Sequence, residues 1–188
     1  MMYIFEGVDC AGKDTLIAKI REIYKVPLFN GLNVYDASEY KEVKPYILDY
    51  KQWQRALDFE IINFQTQTGL QVMMNRFIWS EIVYSNVFRN GADEFFTKIL
   101  KSKLKKIAKI IYLDCPTEEI QERLIQGGKY KTLDVLHNID KLKAEYEKLI
   151  NEEEIPVLRI NSSKDAQENY LKDKDYFDKL LMQVFKKS

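Results

Sequence analysis

The sequence predicts an α/β domain of three layers. Five short, continuous apolar runs recur along its 188 residues, and stretches of helical period separate them. Continuous rather than alternating runs suit a parallel sheet covered on both faces. Strands that alternate with helices make crossover units, which stack into a helix–sheet–helix sandwich. A glycine-rich loop sits between the first run and the helical stretch after it.

The expected strands, in chain order, are 2–6, 33–36, 70–74, 107–114 and 156–160. A helix over 14–24 follows the first strand, and one over 46–68 precedes the third. Helices over 80–88 and 93–106 precede the fourth. Pro116 and Thr117 then open a helix through Gln126, with Glu118 and Glu119 in its first turn, where the helix dipole favours acids. Leu133, Leu136, Ile139, Leu142, Tyr146 and Leu149 keep helical period over 133–151. A last helix is expected over 166–186. No repeat, low-complexity tract or linker interrupts 1–188, so one domain is expected.

Composition narrows the function. Hydrophobic residues make up 46% of the chain and charged residues 31%, as in globular proteins. Lys+Arg and Asp+Glu balance at 29 each, so no bulk basic field draws nucleic acid or a membrane surface. Phosphate binding must then come from local geometry. Cys10 and Cys115 form no CxxC pair, which argues against a disulfide framework or a zinc site. His137 is the single histidine, so imidazole catalysis has almost nothing to draw on. No leader pattern opens the sequence and no run reaches about 20 apolar residues, so a cytoplasmic enzyme is expected.

The strongest motif is Gly7-Val8-Asp9-Cys10-Ala11-Gly12-Lys13, the G-x-x-x-x-G-K part of a Walker A phosphate loop. Gly7 and Gly12 allow the backbone to turn N–H groups inward, and the next helix points its positive end at the same spot. Lys13 supplies a mobile charge for the β and γ phosphates. The nucleotide-binding set is therefore Gly7, Cys10, Ala11, Gly12, Lys13, Asp14 and Thr15, with ATP and Mg²⁺ as the expected cofactors. The position after Lys13 ordinarily carries Ser or Thr, whose hydroxyl binds Mg²⁺. Here it is Asp14, followed by Thr15 about 100° further round the helix. A carboxylate ligates Mg²⁺ but also repels phosphate. Asp14 is read as an altered metal ligand, with weakened catalysis as the alternative.

These residues resemble the thymidylate kinases. Phe5-Glu6-Gly7-Val8-Asp9-Cys10-Ala11-Gly12-Lys13-Asp14-Thr15 resembles the F-E-G-x-D-x-x-G-K-[ST]-T loop of that family. Asn75-Arg76-Phe77-Ile78-Trp79-Ser80 is similar to its D-R-Y-x-x-S motif. Ile111-Tyr112-Leu113-Asp114, then Pro116, Glu119 and Arg123, is similar to the stretch entering its lid. The resemblance implies a P-loop kinase fold with five parallel strands in the order 2-3-1-4-5. It implies transfer of phosphate from ATP to a deoxynucleoside monophosphate, usually dTMP, and a homodimer. By position, Asp9 would sit near the acceptor sugar, and Arg76 would hold the acceptor phosphate and the transferred group. Lys13, Arg76 and Asp9 thus form the expected catalytic set. Ser80 would begin the helix beside the site, and Arg55 would read the base edge. A short lid is expected at about 126–132, Gly127-Gly128-Lys129-Tyr130-Lys131, where Lys129 and Lys131 close over the triphosphate, with a plain helix connection as the alternative, and Arg123 and Lys129 join the nucleotide-binding set.

The sequence departs from the family at several points. Asn75 stands where the family has aspartate, and Cys10 where some members carry arginine. The R-E-P-G segment is absent, and Asp36-Ala37-Ser38-Glu39-Tyr40 stands roughly there. A phosphate acceptor needs positioning and charge neutralisation more than a base. A nucleoside 5′-OH would favour a carboxylate base, and Glu39 and Glu42 lie near where one is expected. Phe59, with Trp53 and Phe64, either stacks on a base or packs in the core. A deoxynucleoside kinase and a nucleotide-binding protein without turnover therefore stand as alternatives.

Overall fold

The computed structural model describes residues 1–30, 47–89, 91–127 and 133–186, the side chains of 47–54 and 133 excepted. The elements are β1 (Met2–Glu6), α1 (Lys13–Ile23), β2 (Leu28–Asn30), α2 (Ile47–Thr68), β3 (Val72–Asn75), α3 (Ile78–Phe88), α4 (Glu94–Leu104), β4 (Ala108–Asp114), α5 (Thr117–Gln126), α6 (Leu133–His137), α7 (Ile139–Asn151), β5 (Val157–Asn161), α8 (Lys164–Lys172) and α9 (Lys174–Phe185).

The strands form one parallel sheet in the order β2-β3-β1-β4-β5. β1 lies at its centre, with Met2 opposite both Val72 of β3 and Ala108 of β4. Both of its faces are covered by helices, so Met2, Tyr3, Ile4 and Phe5 are all buried. Each such side chain contributes about 1.5–3 kcal/mol by leaving water. β3 and β4 bury Val72, Met73, Met74 and Ile110 in the same core. In a parallel sheet all carboxyl ends fall on one edge. The crevice beside β1, where the β1–β2 and β3–β4 crossovers run in opposite directions, is a natural ligand site.

Several expectations are corrected. The second strand of the sheet among the described residues is Leu28–Asn30, and the expected 33–36 lies outside the described residues. It is a three-residue edge strand that starts after Pro27, whose carbonyl accepts from Met73 N–H. Proline suits the entry of an edge strand. The stretch 133–151 is two helices, divided at Asn138, whose side-chain amide donates to the Asp134 carbonyl. The last expected helix is also two. It starts at Lys164 behind the Ser163 cap and divides at Asp173, whose carboxylate accepts from Tyr176 N–H and caps α9. Leu70, placed in the third strand, is exposed, and β3 starts at Val72. Among the described residues, no helix is long and apolar enough to cross a membrane.

Candidate active site

The loop at the carboxyl end of β1 is bent by two glycines. Gly7 has φ +145°, and a Cβ there would lie 2.8 Å from the Leu113 carbonyl oxygen. Gly12 has φ +92°, and a Cβ would lie 2.3 Å from Gln167 Nε2. Cys10 also adopts the left-handed region, at φ 60°. α1 then begins at Lys13, whose buried ammonium donates to the carbonyls of Gly7 (2.9 Å) and Val8 (2.8 Å). Burial, and next the Arg76 guanidinium, push the Lys13 ammonium down to about 7, against the pull of Asp9, Glu6 and Asp14. A phosphate brought beside it would restore the charged form.

Arg76 follows β3 directly and is held at φ 66°, a conformation costly for a residue with a Cβ. Its N–H donates to the Phe5 carbonyl at 3.0 Å, which fixes the turn against β1. The guanidinium reaches Asp9 Oδ1 at 2.5 Å, Ser80 Oγ at 3.1 Å and Tyr84 Oη at 3.3 Å. The Tyr84 hydroxyl donates to Asp9 Oδ2 at 3.0 Å and accepts from Asp9 N–H at 3.1 Å. Burial pulls the Arg76 guanidinium down, but Tyr84, Asp9, Tyr146 and Glu6 outweigh it and hold it charged.

Behind this pair, the buried Glu6 carboxylate accepts from Phe77 N–H (2.8 Å), Ser80 N–H (3.3 Å), Ser80 Oγ and Tyr146 Oη (3.2 Å). Glu6 thereby caps the first turn of α3, where the helix dipole favours a negative charge. Its pKa is still raised, because burial outweighs Ser80, Arg76, the Phe77 amide and Lys13.

Lys13, Arg76 and Asp9 line one cavity of about 590 Å³, with Gly12, Cys10, Asp14, Thr15, Asn75 and Arg123. The Arg123 guanidinium ties α5 to the loop through the Cys10 carbonyl at 3.2 Å. Ala11 is buried beneath the loop. Asn75 Nδ2 donates to Asp14 Oδ1 at 2.7 Å and lies 3.4 Å from Asn30 Oδ1. Asn75 Oδ1 is buried and has no hydrogen-bond partner among the described residues. The Asp14 carboxylate and this orphaned amide oxygen are hard donors of the kind Mg²⁺ takes. Such a site uses one or two carboxylates and completes its shell with phosphate and water. No cluster of three metal-binding side chains occurs among the described residues.

Other expected site residues lie elsewhere. Ser80 is buried and touches Arg76 and Glu6, so it positions rather than faces the cavity. Arg55 pairs with Asp93 at 2.8 Å, and its guanidinium lies 4.8 Å from the Phe96 ring centre. It lines a second cavity of about 310 Å³ with Asp58, Phe77, Ile78 and Glu81. Phe59 packs edge-on behind Phe96, at 5.6 Å between ring centres. Lys129, Glu39, Glu42 and most of the expected lid lie outside the described residues. Sequence reasoning did not single out Gln167 and Asn30, which line the first cavity, Glu6, Tyr84 and Tyr146, which belong to the hydrogen-bond network around Arg76, or Asp58 in the second cavity. Glu6 carried a signal, because a charged residue ending a buried strand needs a partner.

No protein-family model matches the chain. A thymidylate kinase from Campylobacter jejuni is 30% identical over 171 residues, which cover 78% of this chain and 77% of that one. YorR, an uncharacterised SPbeta prophage-derived protein of Bacillus subtilis, is 26% identical over 132 residues, 69% of this chain and 71% of that one. The YorR crystal structure, in complex with phosphorylated GDP, aligns with a TM-score of 0.67 at 20% identity, over 97% of this chain and 95% of that one. Deoxyadenosine kinase from M. mycoides with bound dATP aligns with a TM-score of 0.65 at 16% identity, over 98% and 99%.

Proposed function

The chain belongs to the P-loop nucleotide kinase family, and on that premise we propose that it transfers the γ-phosphoryl group of ATP to a deoxynucleoside monophosphate. The observation that carries the reading is one cavity at the N-terminus of α1 flanked by two cations, the buried Lys13 and the half-buried Arg76. Two cations there match the charge of a donor triphosphate facing an acceptor phosphate. Lys13 leaves the Gly7 and Val8 carbonyls to bind the β and γ phosphates. Arg76 holds the acceptor phosphate and the group in flight, and Asp9 orients Arg76 and the acceptor sugar. Mg²⁺, when bound, neutralises phosphate charge, and Asp14 with Asn75 Oδ1 would hold it. dTMP is the acceptor that the resemblance to thymidylate kinases implies.

A deoxynucleoside acceptor is the second reading. It is favoured by the nearly full-length likeness to deoxyadenosine kinase and by the loss of the family aspartate at Asn75. The test is acceptor-dependent ADP formation with ATP and Mg²⁺ against deoxynucleosides and their monophosphates. Turnover with monophosphates that is lost in Lys13→Ala is expected. Turnover with nucleosides alone would establish the second reading, and binding without turnover would overturn both.

A further inference from the structure

Phe77 and Ile78, the two residues that follow Arg76 in the chain, line the second cavity. Its walls are Arg55 and Asp58 from α2, Glu81 from α3, and Asp93 and Phe96 at the start of α4. Most of its charged groups are already matched. Arg55 pairs with Asp93 at 2.8 Å, and Glu81 pairs with Arg89 at 3.0 Å. Asp58 is the exception. It is 8% exposed, lines the cavity, and accepts no hydrogen bond from any described residue. A carboxyl group left so costs stability, and such groups in native structures ordinarily have a partner. The Asp58 carboxyl lines the cavity wall, so a hydrogen-bond donor held in that space would meet it.

On the reading that Arg76 holds the acceptor phosphate, we propose that Asp58 is the base-selecting residue of the acceptor pocket and takes a base with an exocyclic amino group. Adenine, cytosine and guanine each present that donor. A carboxylate accepts from it, and guanine offers a second N–H for a bidentate pair. Thymine turns carbonyl oxygens on either side of one N–H. An ionised Asp58 repels those oxygens, and Arg55, which would welcome them, is engaged by Asp93. The ring lies among apolar surfaces, with Phe77, Ile78 and Phe96 in the wall. Asp58 thus opposes the thymine preference implied by the family resemblance.

Protonation sharpens the prediction. Burial, then the Glu81 charge, push the Asp58 carboxyl up to about 7. The charged groups around it are Arg55 on its own helix, Glu81 from α3, and Asp93 at the α4 cap. A protonated carboxyl offers both a donor and an acceptor and tolerates thymine. The ionised form does not. Discrimination against thymine therefore grows as pH rises from 6 to about 8.

The experiment measures kcat/KM for dAMP, dCMP, dGMP and dTMP with ATP and Mg²⁺, in the wild type and in Asp58→Asn. Equilibrium binding of the same four nucleotides is measured in parallel. An amide is isosteric, offers donor and acceptor at every pH, and keeps the cavity's shape. The wild type is expected to favour at least one amino-bearing base over dTMP by about tenfold or more, and Asp58→Asn to erase that ratio. The pH dependence of the ratio should vanish with it. dTMP as the best wild-type acceptor, or an unchanged ratio in Asp58→Asn, would overturn the proposal while leaving the kinase reading intact. Binding without turnover would overturn the kinase reading and leave the base preference to be decided by the binding ratio. Absence of both would overturn the two together.

Discussion

Asn75 Nδ2 lies 2.7 Å from Asp14 Oδ1, so the two departures from the thymidylate kinase pattern touch each other. The thymidylate kinase pattern has a hydroxyl at position 14 and a carboxylate at position 75. Here the carboxylate stands on α1 and the neutral group at the end of β3. The pair keeps one negative charge between them.

A charge-swap series tests this pairing. Asp14→Thr alone removes the charge and should raise the half-saturating Mg²⁺ concentration by about tenfold or more. Asn75→Asp alone sets two carboxylates against each other, raises the pKa of one and weakens ATP binding. The double variant Asp14→Thr/Asn75→Asp should recover most of the Mg²⁺ affinity. Mn²⁺ binding followed by electron paramagnetic resonance reads this without turnover. Additive losses in the double variant would contradict the pairing.

Tyr84→Phe removes the hydroxyl that bridges Asp9 and Arg76. The loss should cost about 1–3 kcal/mol of stability by urea unfolding, because buried polar groups are left unmatched. It should also raise KM for the acceptor more than KM for ATP, because Arg76 loses a fixed partner. Equal rises in the two would count against the division of the cavity into acceptor and donor sides.

Gly7→Ala should be worse than most surface changes. The residue sits at φ +145°, and the Cβ would meet the Leu113 carbonyl at 2.8 Å, where backbone cannot yield cheaply. A loss of about 2 kcal/mol or more is expected from strain and contact together. A melting temperature within a degree of the wild type would refute it.

Asp58 sets a pH signature of stability. Its folded pKa, about 7, stands above the ordinary 3.8, so the folded chain binds more protons between these values. Stability from this group is complete below about pH 4, falls as pH rises through the window, and is lost above about 7. The penalty at high pH is at most about 4 kcal/mol. Asp58→Asn should therefore melt higher than the wild type at pH 8 and differ little at pH 4. The opposite ordering would show that Asp58 has a charged partner in solution.

Much of this was legible in the residues, and what was not has physical reasons. β1, the phosphate loop and the end of β3 follow from continuous apolar runs broken by glycine or a charge, and the loop's purpose follows from two glycines and a lysine at fixed spacing. The strand Leu28–Asn30 went unread because Pro27 reads as a breaker, whereas a short edge strand tolerates proline at its entry. The divisions at Asn138 and Asp173 were missed because apolar period continues through both. Only side-chain capping, a weak signal in sequence, ends the helices there. Tyr84 and Tyr146 lie among apolar residues on helices, and periodicity says nothing of where a hydroxyl points. The contact between Asp14 and Asn75 spans 61 positions, which no local pattern conveys.

The most direct measurement identifies the product formed when purified protein meets ATP, Mg²⁺ and each deoxynucleoside monophosphate, by mass spectrometry. A deoxynucleoside diphosphate with matching ADP is expected, absent in both Lys13→Ala and Arg76→Ala. ADP released without a diphosphate, or no reaction while nucleotide still binds, would contradict it.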